Sequence, residues 1–433
     1  AERQYLHPVW SPDGASLVVV RDKGVDNAGR TGGHPREYEA LRLSASGGGQ
    51  ADALGGLPGP MRLTFGPGGA LYMAVTHGGG GIQFLLSQGL PVPRQYTAVG
   101  IFSSRAGDAP AVAEIPTADE AVLSPSGRWL AYRRNGDLYL ADLKQNHADY
   151  SGNYLWRGEQ APATFDESVD GERVRRISNR GGYHAVWVAQ SRLIYMSGAT
   201  LHMFDTESDE TKEFQMNISL PRSAPEGVIA FTGARIISLA QAGVIEHGDI
   251  VIRGTRLACV GVCKVPPAAK VIDVAGKTIA PGYVDVHAHH LTDGEILSRQ
   301  RSDSAIYLAH GVTTVLDPYV FGDAGFRIAE LIETGRMVGP RTFSTGAALN
   351  PIAPDRGIAD YADAVDNIIR LKSEGAISIK DFLQPLRSQR QMLGKAALEN
   401  GMSITNEGAD LFYDLGTIID GSTGFEHPMM YIG

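Results

Sequence analysis

The sequence has little cysteine, no long apolar run and no excess of positive charge. Its two cysteines, Cys259 and Cys263 among 433 residues, are too few for a disulfide scaffold or a zinc knuckle. We expect a buried strand cysteine followed by a cysteine in a turn, and two cysteines leave the redox compartment open. No apolar run reaches the roughly 18 residues that a membrane span needs, so no span is expected.

The charge balance argues against a nucleic-acid partner. The net charge is -9, from 39 Lys and Arg against 48 Asp and Glu, whereas phosphate contacts need a basic face. Hydrophobic residues make up 43% of the chain, and the length suits two or three domains of roughly 100–200 residues. The chain begins Ala1-Glu2-Arg3, without Met or an apolar signal segment, so we expect a processed or trimmed N-terminus.

A turn-and-strand unit recurs through the first two hundred residues. Pro and Gly build a tight turn, and the β-branched and aromatic residues that follow form a strand. The unit returns roughly every 60 residues, which suits one propeller blade with long loops. Its copies begin with Trp10-Ser-Pro-Asp-Gly14, Phe65-Gly-Pro-Gly-Gly69, Leu123-Ser-Pro-Ser-Gly127 and, in degenerate form, Tyr183-His-Ala-Val-Trp187.

This unit resembles the blade of TolB-like β-propellers, which carry the same Ser-Pro-Asp-Gly turn. The resemblance implies that residues 1–218 are propeller blades, incomplete at the N-terminus, in a periplasmic or secreted protein. An unrelated β-sandwich with Pro-Gly turns is the alternative. The histidines of this region lack ligand spacing and are expected in loops and strands: His34, His77, His147, His184 and His202.

A linker separates this region from the next. Residues 219–227 contain two prolines and a glycine, which are loop signals. Short strands are then predicted over 228–231, 234–238, 248–253 and 256–260, indicating a small β-sandwich within residues 228–281. Residues 270–279 lead directly into Ala280-Pro-Gly-Tyr-Val-Asp-Val-His-Ala-His289.

His287 and His289 stand two residues apart at the end of this apolar stretch. Alternate residues on a strand share a face, so both imidazoles can point into one site and suit Zn²⁺ or a similar divalent ion. Two packed strand histidines are the plainer interpretation. His290 is expected to point away, as a loop or supporting residue.

Strands and amphipathic helices alternate from here to the end. Strands are predicted over 311–317, 340–345, 376–382, 402–407 and 423–427. Two segments between them carry apolar residues on one helical face: Ile328, Leu331 and Ile332, then Val365, Ile368 and Ile369. Such alternation indicates a parallel sheet and, at this length, a (β/α) barrel.

The succession of small sandwich, "APGYVDVHAH" and regular strands resembles the amidohydrolase superfamily, nearest to its imidazolonepropionase- and prolidase-like branch. The resemblance implies a multidomain β plus α/β chain: a partial TolB-like β-propeller, a small β-sandwich and an incomplete TIM-type (β/α) barrel over residues 282–433 with strands one to six. It also implies hydrolysis of carbon–nitrogen bonds in small amide, cyclic amide or dipeptide-like substrates. The implied cofactor is one or two divalent metal ions, with zinc as the expected metal.

The same resemblance assigns the site residues. His287, His289 and His427 would be metal ligands, and Lys380 and Glu407 would be catalytic. Lys380 would also ligate, after carboxylation by CO₂, because an ammonium cannot ligate whereas a carbamate offers two oxygens. The plainer alternatives are a solvated Lys380 and a structural His427.

Two departures from the family leave the chemistry open. The family places a histidine near Thr405, so here Glu407 supplies an oxygen ligand, the site holds one metal fewer, or Glu407 is an exposed strand-end residue. The family's general base, an aspartate ending strand eight, has no counterpart, and Asp317 and Asp381 are not at equivalent places. We therefore expect a fragment, or a chain completed by a homo-oligomer or another polypeptide, because open barrels expose strand edges.

Two other functions stay open. A propeller-based binding module could carry a catalytically inactive barrel, or the same barrel could serve an isomerase or deaminase, since a fold does not determine a function.

Overall fold

The computed structural model describes residues 5–23, 38–47, 51–57, 61–77, 96–101, 111–116, 118, 120–134, 136–143, 163–164, 174–289, 300–320, 324–349, 358–382, 384, 386–408 and 411–427. The chain divides into two units by its internal contacts. The first unit comprises residues 1–217, 350–374 and 383–401, and the second comprises residues 218–349, 375–382 and 402–433.

The described residues form 28 strands and five α-helices. Strands β1 to β17 are Tyr5–Trp10, Ser16–Asp22, Tyr38–Ser44, Asp52–Leu57, Leu63–Phe65, Leu71–His77, Tyr96–Ile101, Ala111–Pro116, Glu120–Leu123, Trp129–Arg134, Asp137–Asp142, Ala163–Thr164, Val174–Arg176, Tyr183–Trp187, Arg192–Ser197, Thr200–Asp205 and Glu210–Gln215. Strands β18 to β28 are Val228–Ile237, Val244–Arg253, Arg256–Gly261, Lys270–Asp273, Thr278–Ile279, Tyr283–Asp285, Val312–Asp317, Arg341–Ser344, Ser378–Asp381, Ser403–Glu407 and Gly424–Glu426. Helices α1 to α5 are Ser302–Ala309, Ala324–Glu333, Tyr361–Glu374, Arg387–Glu399 and Leu411–Ile419. None of these helices is long and apolar enough to cross a membrane.

Four sheets of mainly antiparallel strands occupy the described part of the first unit. Their strand orders are β1-β2-β3-β4, β5-β6-β7-β8 with β12 added parallel to β8, β9-β10-β11-β13 and β14-β15-β16-β17. Apart from β12, the strands of each sheet are arranged in chain order as an antiparallel meander. Propeller blades are built from sheets of this kind, and the propeller stays a prediction.

The predicted Pro-Gly turns open the first hairpin of a sheet. Gly14 and Gly127 have φ values of 68° and 72°, in the left-handed region that glycine adopts without strain. In two of these turns a serine closes the turn, because Ser11 Oγ accepts from the Ser16 N–H at 2.9 Å and Ser124 Oγ accepts from the Trp129 N–H at 3.0 Å. The recurring sequence unit is therefore a recurring hairpin.

The third sheet lies between two apolar clusters. Leu123 and Tyr132 face a cluster that includes Tyr72 of the second sheet, whereas Val122 faces a cluster that includes Trp187 of the fourth. Alternate residues of β9 thus contribute to opposite cores, as the pleat requires. The second, third and fourth sheets stack in chain order, while closure into a TolB-like ring stays a prediction.

Helices α3 and α4 belong to the first unit, although the sequence places them within the predicted barrel. On α3, Ile368 is fully buried, and Val365 and Ile369 of the predicted apolar face are half-buried. The contact-based units thus differ from the predicted domain limits at these two segments. In α2, by contrast, the predicted apolar face of Ile328, Leu331 and Ile332 packs into one cluster within the second unit.

The second unit begins with one mixed sheet of order β20-β19-β18-β21, with β22 also paired to β18. Its core includes Ala234, Ile236 and Ile250. Two of the predicted strands are one long strand, β18, whose pairing with β19 is irregular between Phe231 and Ile236. One sheet is described here, so the second layer of the predicted sandwich stays a prediction.

The expectation about the cysteines is wrong. Cys259 in β20 and Cys263 just beyond it form a disulfide, with Cα atoms 5.9 Å apart. Both side chains are half-buried rather than buried. Four residues of separation allow this pairing because the chain turns back after Gly261, which has a φ of 117°.

Two three-stranded parallel sheets follow, β23-β24-β25 and β26-β27-β28. They are the six predicted barrel strands, in the predicted order and direction. Backbone contacts connect the two sheets, because the Ile377 N–H donates to Ser344 O at 3.2 Å and Leu349 bridges Asp381 in parallel. Strand one is shorter than predicted, and closure into a barrel stays a prediction.

Candidate functional site

Polar side chains gather at the carboxyl ends of the parallel strands in the second unit. His287 and His289 follow β23, Lys380 lies in β26, Glu407 ends β27 and His427 follows β28. Barrel enzymes keep their active sites at this end of the strands. The structure therefore places these five residues near the carboxyl ends of the parallel strands, and their roles stay predictions.

His287 and His289 are brought together by a turn after β23. Their Nε2 atoms are 3.0 Å apart, and the rings meet edge to face with centroids 4.7 Å apart. The His287 N–H donates to Asp285 Oδ1 at 3.0 Å, which holds the turn. The histidines converge as predicted, but through this turn, whereas the sequence predicted alternation along a strand.

Lys380 is buried, with 1% of its surface exposed. Its Nζ lies 2.7 Å from Glu407 Oε2, and the Glu407 side chain is 17% exposed. Within the described residues, this Nζ has no aligned hydrogen-bond acceptor in spite of the ion pair. A solvated lysine and an exposed glutamate, the plainer sequence interpretations, do not match this burial.

His427 lies beside His287 and Glu407. Its ring centroid is 4.6 Å from that of His287, and its Nε2 is 3.7 Å from Glu407 Oε1. Its φ of 54° is left-handed, which is uncommon outside glycine. A chain of contacts thus runs from His289 through His287, His427 and Glu407 to Lys380.

Thr405, which stands where the family has a histidine, lies in β27, the predicted strand five. Thr405 stands opposite Lys380 in the register of β26 and β27, and Asn406 stands opposite Asp381. Asn406 Nδ2 donates to Asp381 Oδ2 at 2.6 Å, and both side chains are buried. Asp381 is therefore engaged in an amide contact between strands, which agrees with leaving it out of the site.

The sequence interpretation missed two carboxylates that contact the histidines. Glu426 of β28 contacts His287 Nδ1 through Oε2, and Asp317 Oδ1 lies 3.3 Å from His289 Nδ1. Asp317 was set aside because it does not match the family's base. A usable signal existed, since both carboxylates end parallel strands at the edge where the histidines lie.

The histidine pair fits a divalent ion better than the full predicted ligand set does. Two nitrogens that bind one tetrahedral Zn²⁺ at 2.0–2.1 Å are about 3.3 Å apart, close to the 3.0 Å between the two Nε2 atoms. Among the described residues, no group of three or more His, Cys, Asp or Glu side chains is arranged to hold a metal ion. Ligation by His427 and Lys380 therefore stays a prediction.

Six other histidines were considered in the sequence, and three of them lie in described strands. His184 and His202 lie in β14 and β16, as expected of strand histidines, and His77 lies in β6. His34, His147 and His290 lie outside the described residues.

Comparison with known proteins finds enzymes that are similar to part of this chain. No protein-family model matches the chain. An adenine deaminase of Listeria monocytogenes is 31% identical over 116 residues, which cover 26% of this chain and 18% of that protein. A D-aminoacylase of Alcaligenes xylosoxydans is 34% identical over 131 residues, covering 28% and 22%. Part of this chain is similar to amidohydrolase-type enzymes.

These matches support the amidohydrolase superfamily, whose members named here act on carbon–nitrogen bonds. The chain spans only about a fifth of the length of these curated relatives. A prolidase solved with N-methylphosphonate-L-proline has a TM-score of 0.38 at 21% identity, covering 46% of this chain and 61% of that one. That likeness is too low to carry an argument.

Proposed function

We propose that this amidohydrolase-like chain carries the metal-binding part of a hydrolase for carbon–nitrogen bonds in small amide, cyclic amide or dipeptide-like substrates. The observation that carries the proposal is the approach of His287 Nε2 to His289 Nε2, 3.0 Å apart at the carboxyl ends of the parallel strands. The similarity to a deaminase and an aminoacylase supports the bond type.

The two histidines would hold the ion from one side, and His427 would approach from β28. When bound, a divalent ion such as Zn²⁺ supplies Lewis acidity for the substrate carbonyl and for water. The imidazoles are suited to this because a neutral imidazole nitrogen is a common metal ligand. His287 and His289 would hold the ion at the carboxyl ends of the parallel strands.

Lys380 and Glu407 would complete the site. Forming a carbamate, an anion with two oxygens, from the lysine ammonium and CO₂ releases two protons. The second passes to water as the nitrogen bonds to CO₂, whereas the first must leave before the amine can react. Glu407 Oε2, at 2.7 Å from Nζ, is placed to take that proton.

A second function is favoured by the same ion pair. If Lys380 remains an ammonium neutralised by Glu407, neither CO₂ nor a metal is needed to satisfy its charge. The stacked antiparallel sheets of the first unit, as TolB-like blades of a periplasmic or secreted protein, would then carry a binding function, and the parallel strands would be an inactive scaffold.

The deciding experiment is elemental analysis of the purified chain, stripped and then supplied with Zn²⁺ in the presence of bicarbonate. Native mass spectrometry of the same sample detects a CO₂ adduct. We expect bound zinc and an adduct that Lys380→Met abolishes and the matched Lys277→Met, at an exposed lysine of the same unit, leaves unchanged.

Zinc binding then justifies a screen of N-acyl amino acids and dipeptides as substrates. No bound zinc under these conditions would overturn the hydrolase and favour the binding module.

A further inference from the structure

We infer that Glu426 and Asp317 are positioning residues, which hold His287 and His289 by their Nδ1 atoms so that both Nε2 atoms are presented to one cation. The inference rests on the proposed function for the identity of that cation as a divalent metal. The contacts themselves belong to the chain and can be measured without metal.

The first contact joins residues far apart in sequence. Glu426 Oε2 lies against His287 Nδ1, 139 residues away, and the Glu426 side chain is 10% exposed. A carboxylate can only accept a hydrogen bond, so His287 carries its proton on Nδ1. In the neutral ring, the lone pair is then on Nε2, on the side away from Glu426.

The second contact repeats this arrangement on the neighbouring strand. Asp317 is fully buried at the end of β24, and its Oδ1 lies 3.3 Å from His289 Nδ1. The Tyr319 N–H donates to the same oxygen at 3.1 Å, which anchors the carboxylate from behind. His289 is thereby held in the same tautomer as His287.

The two tautomers together leave two lone pairs facing each other. With both protons on Nδ1, His287 Nε2 and His289 Nε2 are both acceptors, yet they are only 3.0 Å apart. Two acceptors at this distance repel unless a proton or a metal ion lies between them. The carboxylates therefore orient the rings and also set up a site that a cation relieves, and such partners commonly govern metal affinity.

The test begins with the metal-free chain, labelled with ¹⁵N in its histidines. Two-bond ¹H–¹⁵N correlation spectra identify which ring nitrogen carries a proton, and His287→Gln and His289→Gln assign the signals. We expect protonated Nδ1 at both histidines. A neutral ring protonated on Nε2 at either position would overturn the inference, whether or not any variant folds.

Variants then separate positioning from space filling. Glu426→Leu is expected to weaken Zn²⁺ binding about 10- to 100-fold and to change the visible spectrum of the Co²⁺-loaded chain. Glu426→Gln keeps an acceptor oxygen, so it should lose less affinity than Glu426→Leu, whereas a filler role predicts equal losses. The control is Glu333→Leu, at a partly exposed glutamate in the same unit that pairs with Arg341, and it should bind as the wild type does.

The two proposals fail in different ways. Protonated Nδ1 at both histidines without any Zn²⁺ binding would refute the hydrolase while the positioning contacts stand. Tight Zn²⁺ binding with unchanged affinity in Glu426→Leu would refute positioning while the metal site stands.

Discussion

Each unit of the chain contains a cluster of ionisable side chains, and the basic groups of the two clusters differ in kind. In the first unit, Arg370 and Glu374 of α3 are an ion pair at 3.3 Å whose side chains are only 5% and 4% exposed. Arg370 also reaches the Tyr183 hydroxyl at 3.4 Å. In the second unit, the basic groups of the candidate site are the imidazoles of His287 and His289 and the amine of Lys380.

The basic groups differ in whether they can lose a proton and offer a lone pair. A guanidinium keeps its proton in proteins and has no lone pair to offer. Although burial opposes the charged form, Tyr183 and Glu374 raise the pKa of Arg370 further above its usual value. The first cluster can therefore only stabilise, whereas imidazole and amine groups can lose a proton and bind a metal or CO₂.

The carboxylates of the first cluster confirm its structural character. Burial raises the pKa of Glu374 and of Asp137, while Arg370 and Arg176 oppose this rise. Their partners thus only partly repay the cost of removing these groups from water. Density of buried charge is therefore a poor guide to a functional site, and the chemistry of the cations is a better one.

The largest effect is expected from breaking the first cluster. Arg370→Leu leaves Glu374 buried without its cation and should reduce the free energy of unfolding of the first unit by about 3–5 kcal/mol. Urea unfolding followed by tryptophan fluorescence measures this unit selectively, because all four tryptophans lie in it: Trp10, Trp129, Trp156 and Trp187.

The control removes both partners. Arg370→Leu combined with Glu374→Leu should recover most of the loss, since replacing a buried pair by apolar residues is often neutral. A loss below about 1 kcal/mol for the single variant, as for a surface pair, would show that the pair is solvated.

An intermediate effect is expected from the second cluster. His287→Ala removes one of the predicted ligands and should weaken zinc binding by about 3 kcal/mol, more than 100-fold in Kd, if the binding energy is shared over four ligands. Elemental analysis and titration with Zn²⁺ measure the loss.

The tryptophan-detected stability of the first unit should not change in His287→Ala. The matched control is His247→Ala, at an exposed histidine of β19. Unchanged metal content in His287→Ala would show that the site assignment is wrong.

The smallest effect concerns a histidine of the first unit that can titrate but has no carboxylate cluster around it. His202 is stacked on Tyr195 with ring centroids 4.9 Å apart. Burial lowers its pKa, with Glu213 opposing, so the folded state favours the neutral ring. The resulting stability is present above the unfolded pKa of about 6.5 and is lost as the pH falls through the folded pKa.

We therefore expect His202→Phe, which keeps an aromatic ring beside Tyr195, to flatten the fall in stability on acidification. Urea unfolding of both proteins at about pH 7.5 and about pH 5.5, on either side of the unfolded pKa, measures the difference. An equal difference in unfolding free energy at both pH values would contradict the lowered pKa.

Local patterns predicted the elements well. Strands β24 and β27, Val312–Asp317 and Ser403–Glu407, lie within one residue of the predicted 311–317 and 402–407, because alternation and turn residues act within a few positions. The order of the six parallel strands also followed from the sequence. The disulfide was missed because pairing depends on how β20 turns back, which two cysteines alone do not show.

The sequence likewise predicted only the local part of the candidate site. His287 and His289 converge as expected because both belong to one short segment. The contact of Glu426 with His287, across 139 residues, depends on the strands meeting at their carboxyl ends. The position of α3 in the first unit depends likewise on its packing, since its apolar face does not specify which surface it covers.

The sequence by itself determined the hairpins, the strand order and the types of group available for chemistry, because these follow from short-range backbone preferences and residue identity. Only the tertiary structure decided which charges meet. It gave Lys380 a carboxylate neighbour in Glu407, gave both histidines carboxylates at Nδ1, and gave Arg370 a buried partner. Those encounters depend on long-range packing, and they distinguish a cluster that stabilises from one for which we propose metal binding.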